Sequence, residues 1–437
     1  MATTATATAT AYLDINGTRY IVDEFIDVHP GGRDLILSYI GLDASDVFNQ
    51  FHGPKAKHVL KTLPHEPTIE RPRERGDSPT PMTRDFRALH EIICEQGLFR
   101  PNRLFYTRKF AELIALFGTS TFFLKTGYFH VAAFVMGLFF QQSGWFSHDL
   151  GHYAITRRFR KPLMILVGNL FQGFSSEWWI HKHMLHHAHP NTIDPITGLP
   201  IDDDIDTAPL LYWSDKILHR SLQIQEARSP RSIRANLPRV VVETVHTRLL
   251  LPWQGYYIWP LLFMSKLSWD RQSFVTTIRK KNRVEMSCIL THYVLMFLHA
   301  YMLLSLSCAA VGARIGSSIA FMLEARLWGG FLIGWVFIQS HNGTNYYYRG
   351  DLDYFAAQLY TTRNVSMDRL TTWFTGGLNY QIEHHLFPQL PRHSFSKVAA
   401  YVQSICKMHD VKYTVVNIFA GSVIVSKYLS FVGSRLK

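Results

Sequence analysis

Cysteine is scarce and irregularly placed. Cys94, Cys288, Cys308 and Cys406 have no Cys-x-x-Cys spacing, which excludes both a disulfide framework and a thiolate metal site. Charge is low as well: 18% of the 437 residues are charged, against 47% hydrophobic and 14% aromatic. That balance is poorer in charge than a soluble enzyme and fits a membrane protein with soluble parts. Met1-Ala2-Thr3-Thr4-Ala5 has neither the basic stretch nor the apolar core of a cleavable signal, so targeting is expected to fall to the first membrane span. The net charge is +12, yet no basic stripe interleaved with aromatics forms a nucleic-acid module. A membrane face rich in anionic lipid accounts for the charge, and nucleic acid is not expected as a partner.

Residues 1–11 are expected to be disordered, followed by a small α+β domain over 12–62. Tyr12 to Val22 contains two short strands around Asn16-Gly17, a hairpin signal. His29-Pro30-Gly31-Gly32 follows, then a helical stretch ending near Phe51-His52. His29 and His52 are two imidazoles from separate elements that can clasp a haem iron from both sides, although most such turns are merely turns. Pro64, Pro67, Pro72, Pro79 and Pro81 among charges mark a linker over 63–82. Phe86, Leu89, Ile92 and Ile93 recur at helical spacing, in a helix that either leads to the membrane or packs on the main domain.

The remainder, 83–437, is expected to be mostly helical, with spans at about 110–124, 127–146, 286–309 and 325–340. Glu112 interrupts the first, and Glu324 and Arg326 open the fourth. Leu249 to Leu267, with Trp253, Tyr256, Tyr257 and Trp259, is expected to lie as a belt at the interface. Two hairpins place the N-terminal domain and the histidine groups on one side. The loop between the hairpins holds about eighteen Lys and Arg, which makes that side cytosolic. Glycan on Asn16, Asn342 or Asn364 would overturn this topology.

Three groups carry the chemistry: His148-Asp149-Leu150-Gly151-His152, His183-Met184-Leu185-His186-His187 and Gln381-Ile382-Glu383-His384-His385. Helical i, i+3 and i+4 spacing turns each group to one face. His148, His152, His183, His186, His187, His384 and His385, joined by Gln381, offer more ligands than one metal uses, so a dinuclear site is expected. His341, at the cytosolic end of the fourth span, is a further candidate. Neutral imidazole suits iron, zinc and copper. A haem clasped by His29 and His52 and joined to a lipid-facing histidine site would point to oxygen activation by iron, since zinc has no redox chemistry. Asp149, Glu383, Asp204 and Asp206 are expected to orient ligand imidazoles, and Asp202 and Asp203 to lie in a solvated loop. His181 and His189 are assigned to the surface or to positions behind the ligands. His130, His292 and His299 are assigned to packing.

Tyr12 to His52 closely resembles the cytochrome b5 family, which implies haem b with His29 and His52 as axial ligands. It lacks that family's usual helix and tryptophan before the first strand. The histidine groups, with Trp178-Trp179, Asp204-Ile205-Asp206-Thr207 and Gly376-Gly377-Leu378-Asn379-Tyr380, resemble the membrane fatty acid desaturases over nearly the whole chain. The fused haem domain and the glutamine opening the third group resemble the front-end subgroup, which inserts a double bond between an existing one and the carboxyl end. Met184 departs from the family's usual asparagine. The resemblance implies four spans in two hairpins under a cytosolic histidine-rich cap, and two iron ions held by the boxed histidines and His341. It implies O2 and an acyl-CoA or acyl-phospholipid as substrates, NADH-cytochrome b5 reductase as electron donor, and the endoplasmic reticulum membrane as location, with both termini cytosolic. Gln381 either binds weakly through oxygen or hydrogen-bonds a ligand. The alternatives are a sphingolipid long-chain-base desaturase or hydroxylase and, from another class, a non-catalytic membrane haem carrier.

Overall fold

The computed structural model describes residues 10–67, 79–228, 249–304 and 310–435. Most of the segment expected to be disordered, the middle of the linker, the end of the third expected span and Cys308 lie outside the described residues.

The N-terminal unit is built on β1 (Tyr12–Ile15) and β2 (Thr18–Ile21), paired antiparallel with Tyr12 opposite Ile21. Asn16 and Gly17 join them at φ 51° and 76°, the left-handed pair that a tight two-residue hairpin demands. β3 (His65–Pro67) adds to β2, so the sheet reaches into the stretch expected as linker. Helices α1 (Arg33–Leu37), α2 (Ser45–Phe51) and α3 (Pro54–Leu60) complete the unit. Alternate residues Leu13 and Ile15 face inward onto Ile36 and Val47.

Helix α4 (Pro81–Glu95) starts where the Thr80 hydroxyl accepts from the amide of Thr83, a side-chain cap followed by proline in the first turn. Phe86, Leu89 and Ile93 are buried against Phe355, Leu386 and Val402, so this helix packs on the main domain.

Four long helices form the body: α5 (Arg103–Lys125) and α6 (Phe129–Gly151), then, after α7 (Arg160–Met164), a π-helical run (Ile165–Gln172), α8 (Ser176–Ala188), α9 (Asp215–Arg228), α10 (Gln254–Leu262) and α11 (Ser265–Arg279), the pair α12 (Arg283–Leu304) and α13 (Val311–Ser340). Among the described residues, α12 and α13 are the helices long and apolar enough to cross a bilayer. α5 begins before the expected Phe110 and carries Arg103, Arg108, Lys109 and Glu112. The last turns of α6 hold Gln141, Gln142, Ser143, Ser147, His148 and Asp149. These polar ends dilute both helices. α6 and α13 cross closely because Gly137 meets Gly329: a Cβ on Gly137 would lie 2.9 Å from the Gly329 amide nitrogen. Small residues permit such backbone approach.

α13 starts well before the expected Ala325, which puts Arg326 in mid-helix. Its guanidinium is buried beside Asp270 and His292, and Lys266 pairs with the same carboxylate at 3.0 Å, so Asp270 is shared by two buried cations inside the bundle. The expected belt is two-sided: Trp253 and Tyr256 are exposed, whereas Gln254, Ile258 and Leu262 are buried. Their partner is α18 (Ile418–Ser434), an apolar helix that sequence reading had not singled out.

The cap is completed by α14 (Tyr354–Tyr360), α15 (Arg369–Phe374), α16 (Gln381–Leu386) and α17 (Phe395–Met408), with two short parallel pairs, Thr192–Ile193 with Tyr347–Tyr348 and Asn364–Val365 with Val415–Val416. The end of α6, α8, the end of α13 and α16 converge beneath it.

Candidate metal centre

Each histidine group reaches the centre from its own element. His148 lies in the last turn of α6 and His152 caps it. α8 begins at Ser175, whose hydroxyl accepts from the Trp178 amide, and carries His183, His186 and His187 into the interior. His341 caps the C-terminus of α13. α16 is only six residues long and presents His384 and His385 in its last turn.

The side chains separate into two adjoining sets. Ligand atoms of His148, His152, His183, His187 and His384 all lie within 4.8 Å of one another, and so do those of His186, His341 and His385. Every one of these residues is buried. The rings of His187 and His385 stack at 4.1 Å where the sets meet. Gln381 stands beside the second set, its amide 3.1 Å from His341 Nε2.

Behind the rings, four partners fix which nitrogen points inward. His186 Nδ1 donates to Asp202 at 3.0 Å, His385 Nδ1 to Gln358 Oε1 at 2.9 Å and His341 Nδ1 to the Thr361 carbonyl at 3.1 Å. His148 Nδ1 faces Asp149 at 3.5 Å, and Asp149 is itself held by Arg392 and Tyr106. Such partners set tautomer and basicity in metal-binding histidines. The inward nitrogens His148 Nε2, His152 Nε2, His384 Nε2 and His385 Nε2 are buried without a hydrogen-bond partner, and His187 Nε2 faces His183 Nε2 at 3.0 Å. Leaving a buried polar atom unsatisfied costs about 1–3 kcal/mol, so four together fit metal coordination.

The electrostatics agree. Burial and neighbouring imidazoles hold His183, His187 and His385 well below the usual histidine range, and burial brings His384 down to about 3. The rings are therefore neutral, as a ligand must be. His186 is the exception: burial lowers it, but Asp202 and Asp204 raise it above its ordinary value.

Several expectations need correction. Asp202 is fully buried and holds His186, whereas Asp206 is exposed and touches no ligand. Glu383 points away from the rings and accepts from Asn364 and Tyr413. His189 is buried, stacked on Tyr39 at 4.8 Å and hydrogen-bonded to Ser38, facing the N-terminal unit instead of solvent. Gln358, Thr361 and Arg392 were missed, for they lie 20 residues or more from their partners and carry no local signal. His130, His292 and His299 stay outside both sets, paired with Glu324, Leu170 and Arg326, and Thr121.

In the N-terminal unit the rings of His29 and His52 stand 6.1 Å apart. Metal–imidazole bonds of about 2 Å on opposite faces require ring centres about 6 Å apart, so one iron fits between them. Each ring donates Nδ1–H to a backbone carbonyl, of Gly32 and of Phe48, both at 3.1 Å, leaving Nε2 for the metal.

A narrow cleft opens beside His148, walled by Trp145, Trp178, Trp179, Trp269 and Phe337, with Gln172 at its edge. Trp179 also stacks on His183 at 4.4 Å. An aromatic cleft that ends on a histidine cluster able to hold a metal pair, with a haem-type unit docked on the same helix, fits an oxidoreductase.

Residues 126–417 match the model of the fatty acid desaturase family and residues 5–66 that of the cytochrome b5-like haem/steroid binding domain. The chain belongs to the fatty acid desaturase family, a family of membrane proteins, and is an acyl desaturase with haem in its cytochrome b5 domain and buried histidine clusters suited to a diiron centre. It is 34% identical to an acyl-lipid (9-3)-desaturase of Physcomitrium patens, over 94% of this chain and 73% of that protein. It is 29% identical to a Delta(8)-fatty-acid desaturase of Euglena gracilis, over 93% and 92% of the two chains. A Delta(6)-fatty-acid desaturase of Caenorhabditis elegans is 28% identical, over 92% and 91%.

Proposed function

We propose that the chain inserts a cis double bond into a polyunsaturated acyl chain on the carboxyl side of an existing one. The observation that carries this reading is the aromatic cleft meeting His148 at the edge of the histidine sets. The names of the Delta(6), Delta(8) and (9-3) relatives support it.

His148, His152, His183, His187 and His384 hold one iron, and His186, His341 and His385 the other, with Gln381 beside His341. With dioxygen, an iron pair supplies an oxidant able to take hydrogen from an unactivated methylene, and the haem supplies electrons singly. The residues of the chain do the rest. Trp145, Trp178, Trp179, Trp269 and Phe337 exclude water and lay the acyl chain against the His148 side. Asp202, Gln358 and Thr361 keep the ligand nitrogens of His186, His385 and His341 aimed inward. His29 and His52 clasp the haem.

α5, α6, α12 and α13 are four spans in two hairpins, with the cap and both termini on the cytosolic face of the endoplasmic reticulum. The α5–α6 turn lies on the far side. The haem draws on an NADH-dependent reductase, and the acyl group arrives on coenzyme A or phospholipid. Expression in cells fed polyunsaturated precursors, with double bonds located in the products, tests the assignment. A new carboxyl-proximal double bond is expected, and unchanged profiles with every precursor refute it. Separating acyl-CoA from phospholipid pools in a short time course identifies the carrier by where product first appears.

A further inference from the structure

Two iron-binding regions far apart in sequence meet across one aromatic ring. Phe51 closes α2 immediately before His52, and its ring stands edge-on to His187, with centroids 6.2 Å apart at 78°. His187 belongs to the five-histidine set. The N-terminal unit is fastened around this contact. Asp46 makes a two-point ion pair with Arg87 of α4 at 2.7 and 2.9 Å. The Gln50 carbonyl accepts from Gln389 at 3.2 Å. On the other flank Ser38 bonds His189 at 2.8 Å, the Ser38 carbonyl accepts from Arg349 at 2.8 Å, and Tyr39 donates to the Ala188 carbonyl at 3.3 Å. Asp46 and Arg87, Ser38 and His189 are thus locks on either side of a ring that touches a ligand of the cap and is covalently next to a ligand of the haem.

We propose that Phe51 is the electron bridge from the haem to the histidine sets of the same chain, and that these contacts hold the haem domain in its transfer position. The proposal rests on the ligand assignment given under the proposed function. Electron tunnelling weakens steeply across unfilled space, and Phe51 offers a covalent path from His52, its neighbour in the chain, to a ring that stands against His187. Each passage oxidises a ferrous haem to ferric and adds one electron to the iron pair. Two passages, two hydrogens taken from neighbouring acyl carbons and two protons from solvent reduce one dioxygen to two waters and leave one double bond. The haem is reduced again by a flavin reductase using NADH.

The test follows haem absorbance in the full-length holoenzyme, reduced by NADH and reductase and then mixed with oxygenated acyl substrate. Phe51→Ala is expected to keep its haem spectrum and its rate of reduction, while substrate-dependent reoxidation slows by about tenfold or more because the packed link is broken. Phe51→Tyr is expected to restore the rate. Reoxidation of Phe51→Ala at the wild-type rate overturns the bridge and leaves the desaturase reading intact. A wild-type protein that forms no product from any acyl precursor overturns that reading instead. If Phe51→Ala loses its haem spectrum, the ion pair decides: Asp46→Arg should slow reoxidation and the double swap with Arg87→Asp should recover it, and no recovery overturns the proposed docking. A mixture of His29→Ala and His384→Ala proteins should make no product, since transfer stays within one chain, and product from the mixture overturns that point.

Discussion

In the haem domain, His29 and His52 donate Nδ1–H to the backbone carbonyls of Gly32 and Phe48, whereas in the cap His186, His385 and His148 are backed by the side chains of Asp202, Gln358 and Asp149. A backbone carbonyl is the same neutral acceptor whatever residue carries it. A side chain can be charged, neutral or braced by further partners, as Asp149 is by Arg392 and Tyr106. The two-histidine site therefore presents two similar imidazoles to one planar cofactor. In the cap Asp202 and Asp204 raise His186, while burial and neighbouring imidazoles lower His183, His187 and His385.

That contrast can be broken outright by His384→Ala, which is expected to abolish the product while leaving haem absorbance unchanged. His52→Ala is its mirror image, losing the haem while iron content is retained. Loss of both cofactors from either variant, measured by haem spectrum and iron per chain, would show that the two sites are not separable. Next in size, Asp202→Ala removes the carboxylate behind His186 and should weaken iron binding by about 10–100-fold, read as iron retained per haem during titration with a chelator. Gln358→Leu removes a neutral acceptor from His385 and is expected to sit at the lower end, about tenfold. If it equals Asp202→Ala, charge is not what distinguishes the partners. The smallest effect is expected from Trp269→Phe in the cleft wall. A missing ring edge changes apolar discrimination by about 1–3 kcal/mol at most, and competition between acyl chains of different length should show a shifted preference with iron and haem contents unaltered.

The histidine sets were legible because helical spacing is a local property: i, i+3 and i+4 on α8, and i, i+4 on α6, need no knowledge of the rest of the chain. The hairpin at Asn16-Gly17 was legible for the same reason. Gln358 and Arg392 were not, since their partners lie 27 and 243 residues away and nothing near them marks the association. Asp202 was misread because a run of three aspartates looks solvated. It lies three residues before the buried Ile205, while Asp203 and Asp206 remain outside. α5 and α13 extend beyond their apolar stretches because charged residues lie within the helices and not at their ends. In α13 Arg326 is paired with Asp270 from another helix, a partner that no hydropathy window contains.

The ion pair between Asp46 and Arg87 has a consequence for affinity. Arg87 lies on α4, which is buried against the cap, and only residues 68–80 separate that helix from the last strand of the haem domain. A short covalent tether supplies an effective concentration in the millimolar range. Docking therefore needs no more than a millimolar-class intrinsic affinity, which a polar surface of a few hydrogen bonds and one ion pair provides. A haem protein free in solution would have to bind far more tightly to be present as often.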